Sequence, residues 1–159
     1  MSKFKSLEEA IFNGEVTDTI DFLWETKDFD QLFDAGKGVH MSALHLYASS
    51  GWEPAVEILL KLGANVNVRD NHGNAPLHNA LLRKDKKYRA TIELLLDKGA
   101  DINAQNYEGG TPLHNALVNY DYEAASLLID RGADVDISNN LGITPRLMSA
   151  FDKLKKTIP

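Results

Sequence analysis

Hydrophobic positions in this chain fall into short blocks with helical spacing, separated by polar and turn-forming residues. In one such block Leu113, Ala116 and Leu117 share a face of a predicted short helix. Thr111 suits the position that caps that helix, and Pro112 its first turn. A second block, Ala124, Ala125, Leu127, Leu128 and Ile129, predicts another helix that stops at Gly132, a residue free to take the left-handed backbone past a helix end. Ala133 to Ser138 leads into Asn139, Asn140 and Gly142, which are turn formers. Such a helix pair cannot enclose its own apolar face, but stacked neighbours can.

The same pattern recurs along the chain. SALHLYA from Ser42, APLHNAL from Ala75, TPLHNAL from Thr111 and the weaker TPRLMSA from Thr144 start 33, 36 and 33 residues apart. Each of the first three is followed by an echo: ILLKLGANVNV from Ile58, LLLDKGADINA from Leu94, LLIDRGADVDI from Leu127. Two motifs in fixed order at this period predict a stacked repeat array.

Those motifs resemble the ankyrin repeat family. The resemblance rests on TPLH and its variants, on Leu59 to Asn67, Leu95 to Asn103 and Leu128 to Asp136 (Asp in place of the last Asn), and on the turns Asp70-Asn71-His72-Gly73 and Asn106-Tyr107-Glu108-Gly109. It covers residues 37–150 well. It implies an all-α solenoid of stacked helix-turn-helix units with projecting turns, about four to five repeats including divergent caps. The expected division of the single domain is 1–36 as an N-terminal capping repeat, 37–69, 70–105 and 106–138 as full repeats, and 139–159 as a truncated C-terminal cap. The family's usual activity is protein binding, through a concave surface of turns and first helices, without catalysis.

Three segments depart from the pattern. Ala75 to Gly99 is three residues longer than its counterparts and contains RKDKKYR at Arg83 to Arg89, five basic residues in seven. Two readings fit it: an extended first helix with a solvated loop, or a basic finger for an acidic partner with Tyr88 as anchor. The N-terminal stretch lacks both TPLH and GADVN, yet Ser6 with Glu9 resembles a capping box, Leu7, Ala10 and Ile11 have helical spacing, and Gly14 ends the segment. Val16, Ile20, Leu23 and Trp24 predict a second helix, with Phe29, Leu32 and Phe33 packed over it. At the other end, Thr144 to Lys156 predicts one helix followed by a lysine-rich cap.

Charge and composition narrow the function. The formal net charge is −6; residues 1–35 hold three lysines and nine acids, so the whole excess lies there, while residues 36–159 balance at 14 and 14. Nonspecific nucleic-acid binding needs a basic surface to neutralise phosphates, so no nucleic-acid partner is expected. No apolar stretch approaches the ~20 residues of a membrane span, and the start carries no secretory pattern. No cysteine is present, which removes disulfides and thiolate chemistry and fits a cytoplasmic setting.

His45, His78 and His114 occupy one position in successive repeats, where the resemblance implies hydrogen bonds that tie each unit to the next. Equivalent side chains spaced along an axis do not converge on a metal, so no metal or other cofactor is expected. Phosphate-loop, HExxH and GxSxG motifs are missing from the sequence, and the chain reads as no enzyme. The expected binding residues are the variable turn tips and first-helix positions: Tyr107, Glu108, Asn74, His72, Asn71, Met41, Asn119, Arg83 and Ile143. Tyr107 leads, because a turn-tip tyrosine gains little packing in its own repeat and aromatics dominate interface hot spots. Trp52, Tyr120 and Tyr122 are read as packing within their helix pairs. The expected function is a monomeric adaptor or stoichiometric inhibitor that clamps a protein partner; alternatives are an antitoxin-like immunity protein and a scaffold bridging two partners.

Overall fold

The computed structural model describes residues 16–82 and 88–155. Eight helices and one two-stranded ribbon are found among them. Helix α1 (Val16–Thr26) is followed by the strands β1 (Leu32–Asp34) and β2 (His40–Ser42). Three helix pairs come next: α2 (Ala43–Ser50) with α3 (Glu53–Leu62), α4 (Pro76–Ala80) with α5 (Tyr88–Asp97), and α6 (Pro112–Val118) with α7 (Tyr122–Asp130). Helix α8 (Pro145–Lys155) completes the order. Proline at the first position of α4, α6 and α8 fixes the helical φ where the missing N–H costs nothing.

The first helices α2, α4, α6 and α8 form one layer, each against the next, while α1, α3 and α5 stack in a second layer. Between them runs one continuous core, from Phe22 and Leu23 through Leu44, Leu59, Leu77, Ile92, Leu95 and Leu113 to Leu128 and Ala133. Tyr47 ties α2 to α1: its buried hydroxyl donates to Thr19 Oγ1 at 3.1 Å, and burial pushes the phenol pKa up. This is an all-α solenoid, as the repeated letters predict. Among the described residues the one sheet element is the first turn, where β1 and β2 pair antiparallel with Phe33 opposite Met41.

The N-terminal unit performs the GADVN task with different letters. At the end of α1, Lys27 takes the left-handed φ of 58° that Gly63 supplies, at 105°, after α3. Lys27 N–H closes on Leu23 O at 2.9 Å, and its ammonium lies 3.5 Å from the centre of the Trp24 ring, a cation–π contact that offsets part of the non-glycine strain. Three residues on, Asp30 Oδ1 accepts the backbone N–H of Asn65 at 2.8 Å. That is the bond Asn67 and Asn103 offer to Asp101 and Asp134 in later units. Phe33 packs in the core and Phe29 against it, but Leu32 faces out because strand alternation turns neighbours to opposite sides. Ser6 to Gly14 lie outside the described residues.

The insertion does not lengthen its first helix. α4 ends at Ala80, with Leu81 buried and Leu82 exposed. Tyr88 is no exposed anchor either. It is buried at the start of α5, and its hydroxyl donates to Asp121 Oδ2; Asp121 in turn caps α7 by accepting the Ala124 N–H at 3.0 Å. Residues 83–87 lie outside the described residues.

Candidate functional site: the turn and first-helix layer

The three histidines build the spine of this layer. At each, the backbone N–H of the residue before the helix donates to Nδ1: Ser42 to His45 at 3.2 Å, Ala75 to His78 at 3.1 Å, Thr111 to His114 at 3.1 Å. Because an N–H can only donate, Nδ1 is the acceptor and the ring proton sits on Nε2. Nε2 therefore donates to a carbonyl of the following unit: Asn74 O at 2.9 Å, Gly110 O at 3.1 Å and Ile143 O at 2.9 Å. Both ring nitrogens of these three histidines are engaged, so none of the three offers a free lone pair to a metal. Burial, the largest influence, pushes the His78 pKa down to about 4 and lowers that of His45 as well.

A second ladder runs through the turns. Asn71, Tyr107 and Asn140 each donate their backbone N–H to the preceding turn, at His40 O (3.1 Å), His72 O (3.0 Å) and Glu108 O (2.9 Å). Asn71 Nδ2 and Asn140 Nδ2 repeat the link to Gly38 O and Tyr107 O. Inside one turn, buried Asp70 accepts the N–H groups of His72 and Asn74 at 2.8 Å each. Asn106 does the same one unit on, and its amide nitrogen reaches Asn74 Oδ1 at 3.0 Å. After the third pair the ladder changes hands. Asp136, standing where the earlier units have Asn67 and Asn103, receives the Arg146 guanidinium on both oxygens at 2.6 and 2.8 Å.

The expected binding residues divide on this geometry. Asn71 and Asn74 are held in the turn ladder, and Asn119 Nδ2 donates to Leu81 O at 2.7 Å, closing the end of the preceding first helix. Met41 is half-buried against the core. Ile143 is exposed at its side chain, while its backbone takes the His114 bond. His72 and Glu108 are exposed at turn tips. Arg83 lies outside the described residues. Trp52 makes an edge-on contact with Tyr47, ring centres 5.9 Å apart, yet stays half-exposed, as do Tyr120 and Tyr122.

Tyr107 is 72% exposed, but it does gain packing, from the neighbouring turn: a Cβ on Gly73 would sit 2.6 Å from Tyr107 Cδ1. Gly73 also has φ +75°. Gly73→Ala is expected to lose about 1–2 kcal/mol in urea unfolding, from left-handed strain and the clash together. Adding Tyr107→Ala should recover the steric part; no recovery would mean that the ring does not rest on that glycine. Leu82, Val118 and Leu141, which fall among the same variable turn and first-helix positions as the expected binding residues, are 56%, 62% and 81% exposed. Their signal in the sequence is a large aliphatic residue at a position that the repeat pattern leaves variable.

Stacked helix pairs bonded from unit to unit, with side chains displayed on turns and first helices, define an interaction solenoid. The family profile described as "Ankyrin repeats (3 copies)" matches residues 7–106, and "Ankyrin repeats (many copies)" matches residues 85–129. The chain belongs to the ankyrin repeat family. Such repeats mediate protein–protein interaction and are typically non-catalytic. The chain is 37% identical over 60 residues to the nuclear factor NF-kappa-B p105 subunit of Gallus gallus, covering 38% of this chain and 6% of that protein. It is 35% identical over 63 residues to a Rickettsia bellii ankyrin repeat protein, 40% of this chain and 26% of the other. To human Rabankyrin-5 it is 53% identical over 38 residues, 24% and 3% respectively. The match thus spans 26% or less of the length of these relatives, and none of the described helices is long and apolar enough to cross a membrane.

Proposed function

We propose that this chain is a non-catalytic binding module that clamps one protein partner on the face made by its turns and first helices, acting as an adaptor or a stoichiometric inhibitor. One observation carries the reading: Tyr107, Leu141, Val118 and Leu82 stand exposed on that layer, whereas most of its other apolar side chains are buried. Large apolar groups on a turn or helix end cost solubility and contribute nothing to the array's core, and a partner would bury them.

The test uses residues with no part in the ladders. Val118→Asp combined with Leu141→Asp should keep the wild-type circular dichroism and unfolding midpoint. Binding to a partner captured by the wild type should fall at least about tenfold, because each change sets a charge in a desolvated contact. Glu57→Lys on the second-helix layer should leave binding unaltered. A partner held by the double variant but lost on Glu57→Lys would place the site on the other layer.

A further inference from the structure

Formal charge is unevenly divided among the helices. Helices α2, α4 and α6 contain not one Asp, Glu, Lys or Arg, and neither do Leu81, Leu82 and Asn119 at their ends. The paired helices α3, α5 and α7 carry the charges, among them Glu57, Lys61, Arg89, Glu93, Asp97 and Asp130. Asp70 is buried and consumed by its own turn, and Arg146, in α8, is held by Asp136. Lys37 and Glu108 stand at the tips of separate turns.

Leu82 and Val118 are equivalent positions in neighbouring units, and the bond from Asn119 Nδ2 to Leu81 O holds the two helix ends together. Asn115 Nδ2 donates across the same junction to His78 O at 3.4 Å. With both amide nitrogens so engaged, the amides have their oxygens left as acceptors, and among the described residues no donor reaches them. Helices α2, α4 and α6 thus present aliphatic side chains, hydrogen-bond acceptors and no countercharge. A partner's carboxylate or ammonium pressed against them would lose water and gain no ion pair.

Building on the proposed docking face, we propose that the partner meets it through an uncharged segment with aliphatic or aromatic side chains, seated across Leu82 and Val118 and flanked by Tyr107 and Leu141. Such a segment buries apolar area on the two aliphatic positions and donates hydrogen bonds to the Asn115 and Asn119 oxygens. Its binding depends little on salt, since helices α2, α4 and α6 carry no formal charge to be screened.

Random linear peptides displayed against the full chain, with the winners then measured on the Val118→Asp, Leu141→Asp double variant, test this directly. The expected winners are poor in Asp, Glu, Lys and Arg, rich in aliphatic and aromatic residues, and change Kd less than about threefold between low and high salt. Winners rich in Asp or Glu, with steep salt dependence, would overturn the inference and point to the basic Arg83 to Arg89 sequence. Winners that bind the double variant as well as the wild type would sink the docking face itself. Failure to enrich any peptide over the naive library also counts against an uncharged linear segment.

Discussion

Replacing His78 with leucine should cost about 3–5 kcal/mol of stability, among the largest losses available to a single substitution in this chain. The side chain is fully buried, and it serves two main-chain groups at once: it accepts from Ala75 N–H and donates to Gly110 O. Leucine fills much of the volume but leaves both groups buried and unpaired, each at about 1–3 kcal/mol. Urea unfolding at neutral pH measures the loss, with His72→Leu as comparison. His72 is exposed, and its ring makes no hydrogen bond among the described residues, so that change should stay within about 0.5 kcal/mol. Equal midpoints for the two variants would show that the spine contributes nothing.

Mild acid should weaken the wild type through the same residue. In the unfolded chain the imidazole titrates near its ordinary 6.5, whereas burial holds His78 down to about 4 in the fold. A folded pKa below the unfolded one means that the unfolded state takes up the proton first. The histidine's contribution is intact above pH 6.5 and is lost as pH falls towards 4. At about 1.4 kcal/mol per unit of separation, the loss approaches roughly 2.5 kcal/mol by pH ~4.5. His45 is lowered in the same direction and adds to it. Geometry gives the cause: Nδ1 faces the Ala75 N–H, so a proton placed there meets another donor. Urea midpoints across this window should fall steeply in the wild type and less in the His78→Leu variant. A flat profile would contradict a buried neutral imidazole.

The stack was legible because its logic is written in repeated letters. Leu113, Ala116 and Leu117, predicted to share a face, are all buried, and their helix begins at Pro112. Other parts were hidden by chemical substitution. A carboxylate accepts an N–H as well as an amide does, so Asp30 fills an asparagine's place without matching its letter. Tyr88 was misread because the three-residue insertion obscures its register: once that is discounted, it aligns with Trp52 and Asp121 at the head of the second helices. The exposed aliphatics Leu82, Val118 and Leu141 fall on positions that the repeat pattern leaves variable, and the coordinates add how little of each a neighbour covers. The amides Asn74 and Asn119, read from the sequence as contacts, are engaged in holding the array together.

The ladder bonds also bear on how the chain acquires its shape. Among the described residues the longest hydrogen bond along the sequence joins Asn119 to Leu81, 38 positions apart. No unit must therefore wait for a distant part of the chain, and each finds its partner surface in the segment made just before or after it. Folding can start wherever two neighbours meet and then spread in both directions. Tension or proteolysis should take such a chain apart one unit at a time, leaving the remaining pairs folded.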